Sequence, residues 1–246
     1  MTNDERNLAR IRSSGLTSLS TFDICLLRRS AAKRGTSTFG AGGAFTLIEL
    51  IVVIAVIVVL AGLILSTVGY VQKKGARSRA ETEIAAMSAA CESYKADNGV
   101  YPRDPTANTA TDALNARTMF DPVTTDATLY KGASLVLYRA LSGDTNLDRA
   151  VNATDQNFKI DGTTLSPPLT QLPKVYVTFQ PNMLSPADQT LSVQYIRDPF
   201  GNSYGYSTAN QFNSSNGYNP TFDLWSTTRL TASPSSTITP QWIKNW

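Results

Sequence analysis

A single charged side chain, that of Glu49, lies inside the apolar run of residues 44–65, AFTLIELIVVIAVIVVLAGLIL. An ionised group in hydrocarbon costs roughly 2.5–3.5 kcal/mol even on lenient insertion scales, so the default interpretation is a functional residue that has a partner. The simpler alternative is that Glu49 reaches the lipid headgroups from the first turns of a helix. Glu49 is therefore the first candidate for a functional site.

A second set of oxygen-bearing residues lies in residues 144–155, DTNLDRAVNATD. Their spacing matches the ligand positions of an EF-hand loop, including one backbone carbonyl. Arg149 stands at the sixth position, where such loops have glycine, and loops of Asp and Asn are also common turn builders. The spacing therefore predicts either a calcium site or a solvated turn. The candidate ligands are Asp144, Asn146, Asp148, Ala150 (carbonyl), Asn152 and Asp155.

Other functional classes find little support in the composition. The chain has no histidine, which removes the commonest general base and most zinc chemistry, and no paired-carboxylate signature is apparent. Residues 1–44 hold a basic excess, whereas the rest of the chain is close to neutral, which argues against a nucleic-acid surface. Cys91, at helical spacing among apolar residues, is predicted to be a small core residue. We expect neither an enzyme nor a required nucleic-acid partner.

One long helix is predicted to carry Glu49. Residues 47–71 are apolar apart from Glu49 and two hydroxyl residues, and at 1.5 Å per residue they cover the ~30 Å hydrocarbon core. The basic residues before this span place the N-terminus in the cytoplasm and the bulk of the chain on the other side. An apolar stripe then recurs at steps of three and four until Asn98-Gly99, so the helix should run from about Leu47 to Asp97. The stripe comprises Ala80, Ile84, Met87, Cys91 and Tyr94.

The remaining residues predict a small sheet that covers this stripe. Residues 103–128 have the composition of a loop, and residues 131–142 that of a short helix closed by Gly143. Consecutive short strands after helices predict an antiparallel sheet and an α+β fold. The strand candidates are Lys174–Phe179, Leu191–Ile196, Ser203–Ser207 and Thr221–Thr227.

Gly43-Ala44 followed by FTLIELIVVIA resembles the class III signal of type IV pilins and type II secretion pseudopilins. The resemblance implies that prepilin peptidase cuts between Ala44 and Phe45 and methylates the new amine. It also implies a pilin fold, in which the helix packs on the sheet. Residues 1–44 would be a cleaved leader, 45–71 the transmembrane and assembly half of the helix, and 72–246 a periplasmic globular domain. The family usually has glycine before the cut, where this chain has Ala44.

Three later motifs resemble those of major pseudopilins. DNGVYP at residues 97–102 is similar to the end of their long helix, DPFGNSYGY at 198–206 to their "DPWGNPY" turn, and FDLWS at 222–226 to their "FDLFS" strand. In that family a calcium-holding loop follows the last motif, which makes Asp223 an alternative metal residue. Here Thr227-Thr228-Arg229 follows instead.

The resemblance implies a structural subunit of a type II secretion pseudopilus that requires no cofactor. Calcium is one of the two alternatives that the spacing of residues 144–155 leaves open. Its partners would be prepilin peptidase, the inner-membrane assembly platform, membrane lipid before assembly, and further copies of itself in a periplasmic filament. In such a filament Glu49 would neutralise the amine of Phe45 in a neighbouring subunit, because each charge is costly when left alone in low dielectric. Two alternatives stay open: a major or minor type IV pilin for adhesion, motility or DNA uptake, and a membrane-anchored binding module that forms no filament.

Overall fold

The computed structural model describes residues 45–104, 110–228 and 241–246. The chain divides into two compact units, residues 1–54 and residues 55–246. The predicted leader, residues 1–44, and Ala44 with it, lie outside the described residues.

Helix α1 spans Leu47–Asn98, 52 residues in all, and confirms the prediction of one long helix to within a residue. No proline interrupts it, and the sequence changes along it from wholly apolar to amphipathic. It ends where Gly99 adopts a φ of +77° and donates its N–H to the carbonyl of Lys95 at 2.7 Å. A left-handed residue after the last turn is the usual way in which a helix stops, and glycine adopts that conformation most easily.

Helix α2 spans Ala127–Ser142 and begins one turn before the predicted residue 131. Tyr130 lies in this extra turn and is completely buried, which the loop-like composition of residues 103–128 did not indicate. At the other end Gly143, with a φ of +77°, donates to the carbonyl of Arg139. Residues 103–128 were predicted to form a loop. Up to residue 126, the described residues of this segment contain no helix or strand, and α2 begins at Ala127.

Within the described residues, five short strands form two antiparallel sheets, one of two strands (β1 and β2) and one of three in the order β3-β4-β5. The strands are β1 (Leu184–Ser185), β2 (Tyr195–Ile196), β3 (Gly205–Ser207), β4 (Asp223–Ser226) and β5 (Ile243–Lys244). In the larger sheet Gly205 is opposite Trp225, and Trp225 is opposite Lys244. A short helix α3 (Ala209–Phe212) and two 3-10 turns (Ala153–Asn157, Pro181–Met183) complete the described elements. The α+β class, with a long helix and a small antiparallel sheet, is confirmed.

The strand predicted at Lys174–Phe179 is wrong. Tyr176 and Val177 both donate their N–H groups to the single carbonyl of Leu141, at 2.8 and 3.1 Å, which ties the segment to the end of α2 rather than to a sheet. The other three predictions each contain a strand, but each strand is shorter than predicted. The strands also fall into two sheets instead of one, and β5 was not predicted.

The apolar stripe of α1 packs into the main hydrophobic core, as predicted. Ala80, Met87 and Cys91 are fully buried there, together with Ile196 of β2 and Leu224 of β4. Burial raises the pKa of the Cys91 thiol far above its usual range, in keeping with the predicted core role.

A second, aromatic core surrounds Trp225, which is fully buried. Its indole nitrogen donates to the hydroxyl of Tyr130 at 2.9 Å, and its ring stacks on Trp242 with centroids 6.1 Å apart. The ring lies directly over Gly205, because a Cβ at that residue would be only 2.2 Å from the nearest indole carbon. The Trp225 ring can therefore pack here only because Gly205 has no side chain.

Candidate functional site

Glu49 lies in the first turn of α1 and closes a capping box with Thr46. The N–H and the hydroxyl of Thr46 both donate to Oε2 of Glu49 at 2.9 Å, and the N–H of Glu49 donates to the Thr46 hydroxyl at 3.3 Å. Such reciprocal bonds satisfy backbone donors that have no partner inside the helix, and a good N-cap stabilises a helix by about 0.5–2 kcal/mol. Glu49 thus has a local role in starting the helix.

This capping role was missed in the sequence, although its signal is present. Thr46-Leu-Ile-Glu49 has the spacing S/T-x-x-E immediately before an apolar helix, which is the signature of a capping box. The box uses one carboxylate oxygen. The other, Oε1, accepts no hydrogen bond from the residues that the structure describes, and the side chain is exposed. The negative charge therefore remains available to a cation from outside the chain.

Phe45, the residue implied to become the mature N-terminus, is the first described residue and is 84% exposed. From Leu47 to Val71 the large apolar side chains are also exposed. Over a window of 18 residues the mean hydropathy reaches 3.2, so α1 is long and apolar enough to cross a membrane. A candidate membrane-spanning helix thus carries an available carboxylate four residues beyond Phe45.

In residues 144–155, protein donors already satisfy the two buried carboxylates. Asp144 accepts from the Tyr138 hydroxyl and from the N–H of Arg149, both at 2.8 Å. Asp155 accepts from the N–H groups of Thr145 and Asn152, at 2.7 and 2.8 Å. Burial raises the pKa of the Asp144 carboxyl, although these hydrogen bonds partly oppose the effect.

Arg149 occupies the sixth loop position with a φ of +72°, the left-handed conformation for which EF-hand loops use glycine. A non-glycine residue there costs roughly 1–2 kcal/mol. The Arg149 side chain offsets that cost, because it donates to the carbonyls of Leu191 at 2.9 Å and Pro186 at 2.7 Å. Arg149 therefore has the left-handed conformation that an EF-hand loop uses at this position, held by a side chain that glycine lacks.

Asp148 is exposed and binds within the loop. Its Oδ2 accepts from the amides of Asn146 and Asn152, both at 2.9 Å, and its Oδ1 accepts from the N–H of Ala150. Among the described residues, no group of three or more His, Cys, Asp or Glu side chains is arranged to hold a metal ion. Calcium at this loop stays a prediction, and binding would require the acids to exchange some of these donors for the ion.

The alternative metal residue, Asp223, is also engaged by the backbone. It accepts from the N–H groups of Tyr218 and Asn219, both at 2.8 Å, and burial raises the pKa of its carboxyl. Gly217, with a φ of +67°, passes so close that a Cβ there would lie 2.6 Å from an Asp223 oxygen. In this arrangement Asp223 shapes the turn that precedes β4.

The DPFGN turn and the FDLWS strand are joined by a buried hydrogen bond. The Ser226 hydroxyl donates to Asp198 at 2.5 Å, while Asp198 also accepts from the N–H groups of Phe200 and Asn202. Burial raises the pKa of the Asp198 carboxyl, and the three hydrogen-bond donors oppose that shift. Two of the three later motifs that resemble those of major pseudopilins are thus joined to each other.

Comparison of the chain with models of protein families, with curated proteins and with solved structures finds no match.

A calcium titration tests residues 144–155. The spacing predicts that millimolar calcium raises the melting temperature of the full chain, because an ion that binds the folded state alone stabilises it by about 2.7 kcal/mol at a hundredfold excess over Kd. Asp148→Ala should remove this increment. Asp188→Ala is the matched control, because Asp188 is an exposed acid that accepts from Thr190 in a similar turn. An increment that survives in Asp148→Ala would place the ion elsewhere, with Asp223 next to test.

Proposed function

We propose that this chain is a pseudopilin-like subunit that is cut between Ala44 and Phe45 and polymerises from the inner membrane into a filament. The observation that carries the proposal is the state of Glu49. Its charge lies four residues beyond Phe45 on an exposed apolar helix, and Oε1 is left without a hydrogen bond by the described residues. A cation supplied by a second subunit would complete this site.

The exposed apolar half of α1 supports the same proposal. Eighteen large apolar side chains between Leu47 and Val71 are exposed, so they require lipid or other helices around them. Lipid satisfies them before assembly, and neighbouring copies of the same helix satisfy them in a filament. In a filament, apolar side chains of neighbouring helices would surround the Glu49 carboxylate, and a positive partner lowers the free energy of a carboxylate most in such surroundings.

The globular part favours a pseudopilin over a type IV pilin. The DPFGN turn and the FDLWS strand, which resemble motifs of major pseudopilins, are bonded to each other through Asp198 and Ser226. A type IV pilin would use the same membrane helix and the same Glu49 chemistry with different partners. A membrane-anchored binding module would retain its leader and would be indifferent to the charge of Glu49.

The mass of the mature chain tests this proposal. In cells that carry prepilin peptidase, we expect protein purified from membranes to begin at Phe45 with a methylated amine. Ala44→Gly should be cut at least as completely, whereas a bulky residue such as Leu at position 44 should block cutting. A chain that keeps its first residue in those cells would support the anchored module instead. The catalytically inactive peptidase provides the control, since it should leave the leader in place.

A further inference from the structure

An open cavity of about 380 Å³ lies between the middle of α1 and the segment that connects β2 to β3. Two arginines line it, Arg79 from α1 and Arg197 directly after β2. Neither belongs to the amino end of α1 or to residues 144–155. The cavity is therefore distinct from both candidate sites described above.

The two arginines differ in how they are paired. Arg79 binds Glu83 through its Nε at 2.6 Å, and Glu83 also accepts from the Tyr204 hydroxyl at 2.7 Å. Arg197 is half-buried, and its side chain makes no hydrogen bond or ion pair within residues 45–104, 110–228 and 241–246. Asp198, which also lines the cavity, makes no ion pair with Arg197 and accepts instead from the Ser226 hydroxyl and two backbone N–H groups. The cavity thus presents one guanidinium whose hydrogen-bond donors no group within the described residues occupies.

The other residues that line the cavity suit a small organic molecule. Pro181 and Leu184 supply apolar walls, and Asn182 and Gln189 supply amides that both donate and accept hydrogen bonds. The volume would hold roughly a dozen water molecules, at about 30 Å³ each, and it falls at the lower end of the range for small-molecule sites. The unoccupied donors of Arg197 match the two oxygens of one carboxylate, whereas the Asp198 carboxylate in the same lining disfavours a phosphate group, which carries about −1.5 to −2 at neutral pH.

We propose that this cavity binds an organic monocarboxylate of about a dozen non-hydrogen atoms, with the Arg197 guanidinium holding the carboxylate. The planar fork of an arginine pairs with the two oxygens of a carboxylate, and such charge-assisted pairs are stronger than neutral hydrogen bonds. Arg79, which is paired with Glu83, is a second positive group that lines the cavity. The carboxylate belongs either to an acidic sugar or to an acidic side chain of a protein, and the probes below separate these sources.

Equilibrium dialysis of the full chain in detergent tests the proposal and does not depend on filament assembly. One probe is glucuronate, for the sugar source, and the other is glutamate with both backbone ends blocked, for the protein source. Glucose and the equivalent blocked glutamine are the neutral counterparts. We expect saturable binding of at least one acid in the millimolar range or tighter, and at least about tenfold weaker binding of its neutral counterpart.

Variants of Arg197 assign the binding to the cavity. Arg197→Gln should weaken binding of the acid about tenfold or more, and Arg197→Lys, which keeps the charge but not the fork, should weaken it less. Arg77→Gln is the control, since Arg77 is an exposed arginine on the same helix that pairs with Glu81 and does not line the cavity. Affinity that is unchanged in both Arg197 variants, equal binding of the neutral probes, or no saturable binding of either acid would overturn the proposal.

Discussion

Replacement of Glu49 by Gln is expected to abolish filament growth while leaving the start of α1 intact. Glutamine can still accept the hydrogen bonds of Thr46, because a capping box works with Glu or Gln at its last position. It cannot supply the negative charge that a neighbouring amine would require. The measurement is the amount of sedimentable filament in cells that contain the peptidase and the assembly apparatus, compared at equal membrane levels of the subunit.

Thr46→Ala is the reciprocal variant. It removes the hydroxyl from the capping box and keeps the Glu49 carboxylate, so we expect filaments to form, with the helix start weakened by about 1 kcal/mol. The pair separates two roles of the same residue. Normal filaments in Glu49→Gln, together with their loss in Thr46→Ala, would assign Glu49 to capping alone and would contradict the proposed role in assembly.

The substitution Gly205→Ala should strongly destabilise the globular part. Its Cβ would lie 2.2 Å from an indole carbon of Trp225, and that ring cannot move easily because Tyr130 and Trp242 pack around it. Overpacking of a dense core costs about 1–3 kcal/mol and occasionally more, and we expect the upper end of this range here. Near-ultraviolet circular dichroism of the full chain in detergent follows the tryptophans directly during unfolding.

Gly75→Ala is the matched control for this experiment. Gly75 lies within α1, where an added Cβ would meet nothing within 4 Å. Alanine has the higher helix propensity by about 1 kcal/mol, so this variant should be as stable as the original chain or more so. Equal stability of the two alanine variants would show that Trp225 does not pack over Gly205 as described.

The long helix and the core role of its stripe could be predicted, because uninterrupted periodicity over many turns is a strong local signal. The strands were harder, since each has only two to four residues and depends on partners far along the chain. In residues 174–179 apolar residues alternate with others, as they do in a strand. The N–H groups of Tyr176 and Val177 nevertheless bind the carbonyl of Leu141 instead of a neighbouring strand. β5 has only two residues, too few for a periodic pattern to appear.

The candidate sites could likewise be predicted only in part from the sequence. The unusual position of Glu49 could be recognised because one charge in an apolar run is conspicuous, but its bonds to Thr46 depend on the geometry of the first turn. The ligand spacing of residues 144–155 was visible, whereas the donors that occupy Asp144 and Asp155 were not. Tyr138 and Arg149 reach Asp144 only because α2 and the left-handed turn place them there.

The order of the core contacts along the chain has a consequence for biogenesis. Tyr204 bonds to Glu83, 121 residues away, and β5 must arrive before β4 has both of its neighbours. Contacts so distant in sequence form slowly, because the intervening loops must close first. While the chain emerges from the ribosome or crosses a membrane, the apolar stripe of α1 is therefore complete long before the residues that cover it. We expect a period in which the nascent chain exposes this stripe and depends on chaperones to prevent aggregation.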